Sequence, residues 1–223
     1  GYIDPAKIRI TKRAQVSGAT LQLYAQINKW CEENEYPHGL RTHSILVNKL
    51  MYYSEKAVQA ANDRFKIGTG WYLYGPCYEE GRAYEVDQRP ISIVPTSDRV
   101  SEQVASVCET LVPQFQKFSK QGGFGGVLRD FLGYIYREKC DHPEIRDYYV
   151  SKHDLQCQLW ALGDKMPSSS PVQLAEKVSE AVTNFDRVLA SGGYAKIIRL
   201  DEETVDELIE WTPLLEEHAR MAV

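Results

Sequence analysis

Several features of membrane and secreted proteins are missing from this sequence. No apolar run approaches the roughly 20 residues that a membrane-spanning helix needs. The chain does not open on the charged-then-apolar pattern of a secretory signal. Five cysteines, scattered from position 31 to position 157, are too few and too irregular for a disulfide framework. We therefore expect reduced thiols, a cytoplasmic location and no membrane partner.

Excess positive charge is also missing. The formal net charge is -5 and the sequence pI is about 5.6, so the overall electrostatic signature of a nucleic-acid-binding protein is absent. One dense basic cluster contains Lys7, Arg9, Lys12 and Arg13, and it is typical of a solvated segment. A nucleic-acid-binding regulator that uses this cluster and Lys117–Lys120 is one alternative function.

Motifs of catalysis are equally scarce. No Gly-x-Ser-x-Gly elbow is present. The glycine run at 122–126 is followed by Val127-Leu128-Arg129 and lacks the Lys-Ser/Thr pair of a phosphate loop. Adjacent acids such as Glu79-Glu80 point to different sides of a helix and make poor catalytic pairs. The sequence therefore predicts no catalytic residue and favours a protein that is not an enzyme.

Apolar periodicity is what the sequence does have. Hydrophobic residues make up 43% of the chain, with 14 Tyr, 6 Phe and 4 Trp, which excludes a disordered protein. Apolar residues recur at helical spacing in most segments. The predicted helices cover residues 20–33, 42–61, 97–120, 127–139, 153–162, 172–189 and 201–218. The predicted fold class is mostly α, a multi-helix single domain with a small two-stranded β element around 67–74 and 90–94.

The most distinctive stretch is Trp71–Glu80, in which aromatic residues surround a Gly-Pro pair. Alternation before Gly75-Pro76 predicts an extended segment. We predict Gly75 and Pro76 as a structural turn and a helix over Pro76–Val86, because proline suits the first helical position and Glu79-Glu80 suit the first turn. Aromatic side chains here serve equally as core or as contact surface. The candidate protein-interaction residues are Trp71, Tyr72, Tyr74 and Tyr78.

Cys77 follows the Gly-Pro pair directly and is the best candidate for a reactive thiol. At a helix N-terminus, the helix dipole would increase the fraction of thiolate. The alternative is a small buried apolar side chain. A thiol-dependent enzyme would also need a base, and the spacing of His38 and His43 offers no support for one.

A second group of cysteines and histidines has the ligand types of zinc. Cys140-x-His142 is followed, after ten intervening residues, by His153-x-x-x-Cys157. His153 and Cys157 share one face of a helix, and two thiolates with two imidazoles suit tetrahedral zinc. The spacing is not that of a zinc finger, and ordinary histidines with buried cysteines explain it equally. The sequence therefore favours no cofactor, with zinc at these four residues as the alternative.

The region from Asn48 to Tyr84 resembles the Panacea, or SocA-like, antitoxin domain and the related YwgA-like proteins. The resemblance is carried by Lys49-Leu50-Met51-Tyr52 in a helix and, after an extended aromatic segment, by Trp71-Tyr72-x-Tyr74-Gly75-Pro76 with Tyr78 beyond it. It covers roughly residues 40–90. The chain departs from the family pattern at Cys77 and at Glu79-Glu80-Gly81.

The resemblance implies a mostly helical fold and a non-enzymatic role, in which the protein binds and neutralises a toxin or acts as a proteolytic adaptor. A protein partner is therefore expected, and no catalytic residue is carried over. The predicted organisation is an extended segment at 1–15, a helical Panacea-like core at 16–165 and a C-terminal helical pair at 166–223 packed on the core. A zinc- or thiol-dependent enzyme is the second alternative.

Overall fold

A computed structural model of the protein describes nine parts of the chain. These are residues 8–10, 18–36, 44–62, 65, 67–72, 75–78, 84–86, 98–162 and 170–198. The chain divides into two compact units, Gly1–Gln121 and Gly122–Val223. This boundary falls inside the segment 16–165, and each unit is described by itself below.

The described residues are mostly helical, which confirms the predicted fold class. The helices are α1 (Gly18–Glu33), α2 (Ser44–Gln59), α3 (Asp98–Gly126), α4 (Leu132–Glu138), α5 (Pro143–Leu162) and α6 (Pro171–Ser191), with a π-helical turn at Val127–Phe131 and a 3-10 turn at Gly193–Lys196. The strands are β1 (Ile8–Ile10), β2 (Thr69–Tyr72), β3 (Gly75–Tyr78) and β4 (Tyr84–Val86). The sheets are small antiparallel pairs, β1 with β4 and β2 with β3. No described helix combines the length and the apolar character that crossing a membrane requires.

The β2–β3 hairpin corrects one prediction. Residues 67–74 were expected to be extended, and β2 confirms this. The helix predicted to begin at Pro76 is wrong, because β3 runs from Gly75 to Tyr78 and pairs with β2. Gly75 has a φ of 91°, where a side chain would be strained. The predicted second strand at 90–94 lies outside the described residues, as do Glu79-Glu80.

Helices α1 and α2 pack against each other in the first unit. A hydrogen bond of 3.0 Å from Ser101 to Gln26 also joins α3 to α1. The buried apolar side chains of these helices lie at helical spacing, as the periodicity predicted. They include Leu23, Ile27, Cys31, Leu46, Leu50, Val104, Cys108, Leu111 and Phe115.

The glycine run interrupts the third helix instead of ending it. Gly123 has φ 56° and ψ -137°, which are not helical values, whereas Pro113 lies inside the helix without a break. Helical structure resumes after Gly123 and continues into the π-helical turn at Val127–Phe131. The prediction that the glycines stop this helix is therefore correct only for Gly123.

Helices α5 and α6 pack against each other in the second unit. The rings of Tyr148 and Phe185 lie 5.8 Å apart between them. Helix α5 begins ten residues before the predicted start at 153. Pro143 occupies its first position, where the missing N–H of proline costs no hydrogen bond. Helix α6 begins with a capping box at Ser170 and is capped at its end by Gly192, whose φ of 65° is left-handed.

Both ends of the chain lie largely outside the described residues. In the segment 1–15, only β1 is described, and it pairs with β4 through Ile8 and Val86. After α6, the 3-10 turn at Gly193–Lys196 is the last described element of the chain. The predicted last helix, from Asp201 onward, is not described.

Candidate functional site

One face of α2 holds the β2–β3 hairpin through polar side chains. Residues 48, 49, 52 and 55 recur at intervals that place them on the same side of a helix. Lys49 Nζ donates to the carbonyl of Pro76 at 2.8 Å. Trp71 Nε1 donates to Tyr52 Oη at 2.8 Å, and the two rings meet edge to face. The residues that carry the family resemblance therefore contact one another across this junction.

Lys49 is a charged side chain in an apolar setting, with only 4% of its surface exposed. Burial lowers the pKa of its ammonium group to about 8, and the neighbouring Cys77 partly offsets this effect. At neutral pH the ammonium is still mostly protonated, since the pKa lies above 7. The junction thus carries a positive charge directly beside β3.

Cys77 lies at the same junction. Its thiol is half-buried and donates to Asn48 Oδ1 at 3.3 Å. Its partner across the hairpin is Gly70, which has no side chain to cover the sulfur. The prediction that Cys77 opens a helix is wrong, so a helix dipole does not act on its thiol. Among the described residues, the ammonium of Lys49 interacts electrostatically with Cys77.

Glu55 is the acidic counterpart on α2 and is 3% exposed. Its carboxylate accepts a hydrogen bond from Ile67 N at 2.6 Å and another from Thr69 Oγ1. These bonds fix the chain where it enters β2. Glu55 therefore aligns the first strand of the hairpin, and Lys49 aligns the second.

Two of the four predicted interaction residues, Trp71 and Tyr72, are buried in this arrangement. Trp71 is 2% exposed and Tyr72 is 8% exposed, so both contribute to packing. Tyr78 pairs with Thr69 through the backbone of β3, and Tyr74 lies outside the described residues. Gly75 and Pro76 begin β3 immediately after the two undescribed positions of the hairpin.

The four candidate zinc ligands separate into two local pairs. Cys140 Sγ donates to the carbonyl of His142 at 3.3 Å, not to its ring. Cys157 Sγ lies 3.6 Å from His153 Nε2. Burial raises the pKa of both thiols and lowers that of His153. Within the described parts of the chain, no three His, Cys, Asp or Glu side chains are grouped as metal ligands.

His153 instead forms a hydrogen bond to the backbone of the π-helical turn. Its Nε2 lies 2.7 Å from the carbonyl of Arg129, so this nitrogen carries the proton and donates it. Gly133 makes room for the ring, because a Cβ there would come within 3.1 Å of His153 Nε2 and 2.9 Å of Arg137 Nη1. The histidine therefore adds a hydrogen bond to a carbonyl that already accepts from the Leu132 N–H at the end of the π-helical turn.

The structure adds little support for the basic residues or the glycine run as binding sites. Of the N-terminal basic cluster, only the backbone of Arg9 is described, as part of β1. Lys117 and Lys120 lie exposed on α3. The glycine run follows a helix and not a strand, which is not the arrangement of a dinucleotide-binding loop.

An open groove of about 900 Å³ runs along the outer face of α6. The described residues that line it all belong to α6: Pro171, Val172, Ala175, Glu176, Ser179, Glu180, Thr183, Asn184 and Arg187. Val172 is 69% exposed, and Trp160 near the end of α5 is 41% exposed. These are the large apolar side chains that the described residues expose most.

Sequence reasoning missed the polar face of α2. It predicted this helix from its apolar spacing alone. Asn48, Lys49 and Glu55 within that apolar pattern were the available signal, since a buried charge needs a partner.

No protein-family model, curated protein or solved structure matches the chain.

Proposed function

We propose that this chain is a non-enzymatic protein-interaction module of the antitoxin type, which binds and neutralises a toxin or acts as an adaptor. The observation that carries the proposal is the contact between the two halves of the motif that resembles the Panacea domain. Lys49 reaches the carbonyl of Pro76, and Tyr52 accepts from Trp71. The distant motif residues thus support one another as a scaffold, which fits a resemblance that carries over no catalytic residue.

The outer face of α6 supplies a surface suited to a protein partner. Val172 exposes an apolar side chain at the start of this groove, which an apolar side chain of a partner would cover. Glu176 and Glu180 follow Val172 along the groove. The partner surface that complements this face offers an apolar side chain to Val172 and basic groups to the two carboxylates.

Growth of cells tests the neutralising function. Each gene adjacent to the one that encodes this chain is expressed alone and together with it. We expect one product to arrest growth and co-expression of this chain to restore it. Arrest by a neighbouring product without rescue, or neighbours that are all harmless, would contradict the antitoxin role.

Binding of the rescued product tests the surface. We expect Glu180→Lys to weaken the complex by about tenfold or more, because it places a cation opposite the partner's basic groups. Asp186→Lys is the matched control, since it makes the same change on an exposed position of α6 outside the groove lining. Isothermal titration of both variants gives the comparison. Equal affinities for the two variants would rule out this face.

A further inference from the structure

His153 is a titratable side chain enclosed in the packing of the second unit. It is 2% exposed, and its ring lies edge to face with Tyr136 of α4 at 5.4 Å between centroids. The ring also lies close to the backbone of α4, because a Cβ at Gly133 would come within 3.1 Å of Nε2. Nε2 donates to the carbonyl of Arg129 at 2.7 Å. This one side chain of α5 therefore contacts both the π-helical turn and α4.

These contacts suit a neutral ring and not a charged one. A neutral imidazole has one N–H to satisfy, and the Arg129 carbonyl accepts it. The thiol of Cys157 lies 3.6 Å from the same nitrogen, and burial raises the pKa of this thiol. Protonation would add an N–H at Nδ1, and the described residues place no acceptor within hydrogen-bonding distance of that atom. A buried donor without an acceptor and a buried charge are both costly.

The charged groups around the ring do not offset this cost. Arg137 of α4 and Lys152 of α5 disfavour another cation, whereas the carboxylate of Asp154 on α5 favours it. Asp154 is already paired with Arg137, and Asp130 of the π-helical turn is paired with Arg129. Among the described residues, no charged group of α6 acts on the ring. Burial is the largest effect, and it lowers the pKa of the ring from the ordinary value of 6.5.

We propose that His153 is a pH-sensitive switch of the second unit. In mildly acidic solution the ring takes up a proton, and the π-helical turn and α4 separate from α5 around it. The contact between α5 and α6, which includes Tyr148 and Phe185, does not involve the ring and stays closed. The switch is therefore independent of the partner face proposed on α6.

Urea denaturation of the whole protein from about pH 8 to about pH 5 tests the switch. The unfolded chain binds the proton more readily, so the stability that the neutral ring provides is present above pH 6.5 and is lost as the pH falls toward the folded-state pKa. His153→Gln keeps a donor for the Arg129 carbonyl and does not titrate. We expect the unfolding constant of wild type relative to this variant to rise in acid, by up to about tenfold per pH unit.

His142→Gln is the matched control, because the side chain of His142 is 41% exposed. The unfolding constant of wild type relative to this control should change little with pH. A wild-type to His153→Gln ratio that stays constant over the same range would overturn the proposal.

Hydrogen exchange of the wild-type chain locates the opening and decides the question even if His153→Gln does not fold. After correction for the chemical exchange rate, peptides from residues 127–139 should lose protection at about pH 5 relative to about pH 7.5. Peptides from residues 172–189 in α6 should keep theirs. Unchanged protection at 127–139, or an equal loss in both regions, would contradict a switch at His153.

Discussion

Individual side chains on α2 determine how the hairpin is attached. Lys49 and Glu55 both hold backbone groups of the β2–β3 region, the first a carbonyl and the second an N–H group. A buried backbone group that loses its partner costs more than the hydrogen bond contributed, because its desolvation is no longer compensated. These two residues are therefore the most sensitive single positions in the junction.

Glu55→Ala should lower the free energy of unfolding by about 3 kcal/mol, since it removes two hydrogen bonds to a charged acceptor. Glu33→Ala on α1 is the control. Glu33 pairs with Lys29 at 3.7 Å and is 61% exposed, so its loss should change stability by less than about 0.5 kcal/mol. Urea denaturation of both variants measures the difference, and equal effects would show that Glu55 does not hold the hairpin.

Lys49 should make stability depend on pH. Its pKa is about 8 in the folded chain against an ordinary value of 10.5. The unfolded chain thus binds more protons between these values, and the free energy of unfolding rises with pH through that window. Across the whole window the free energy of unfolding rises by about 3 kcal/mol. Below the folded-state pKa, the cost of burying the charged ammonium of Lys49 lowers stability in full.

Urea denaturation over this pH range measures that effect. The stability of wild type minus that of Lys49→Met should increase as pH rises, because the variant lacks the titrating group. Subtraction of the variant also removes the contribution of tyrosines that titrate in the same range. A difference that stays constant with pH would mean that the lysine is not desolvated.

At the scale of elements, the helices could be predicted and the hairpin could not. The apolar spacing of α1, α2 and α6 extends over several turns and leaves one interpretation. Gly75 and Pro76 suit either a helix start or a strand. The strand is favoured by Lys49, a residue distant in sequence, which donates to the Pro76 carbonyl. Pro143 shows the same limit, because a proline both ends one segment and opens the next.

Two glycines in α3 should respond in opposite ways to alanine. Gly123 has a φ of 56°, so Gly123→Ala should lower the free energy of unfolding by about 1 kcal/mol. Gly125 lies in helix with open space where a Cβ would project, so Gly125→Ala should raise it by about 0.5–1 kcal/mol. Thermal unfolding of the pair gives the test. Stabilisation by both substitutions would mean that the helix is continuous through Gly123.

At the scale of the whole molecule, the charges are distributed unevenly between surface and interior. The chain carries 26 Lys and Arg against 31 Asp and Glu. Among the described residues, Lys49 is the lysine or arginine that is buried. From the sequence, the aromatic stretch Trp71–Glu80 was the most distinctive feature, and we predicted it to form a contact surface or a turn. The candidate site depends on the α2–hairpin junction, which no local pattern encodes.

The central claim is that a buried ammonium of Lys49 joins α2 to the hairpin beside Cys77. NMR of the lysine side chains in the intact protein, titrated from about pH 6 to about pH 11 and assigned with Lys49→Met, tests it most directly. We expect Lys49 to titrate near pH 8 and its titration to shift to lower pH in Cys77→Ala. Titration of Lys49 near the ordinary lysine value of 10.5 would contradict it.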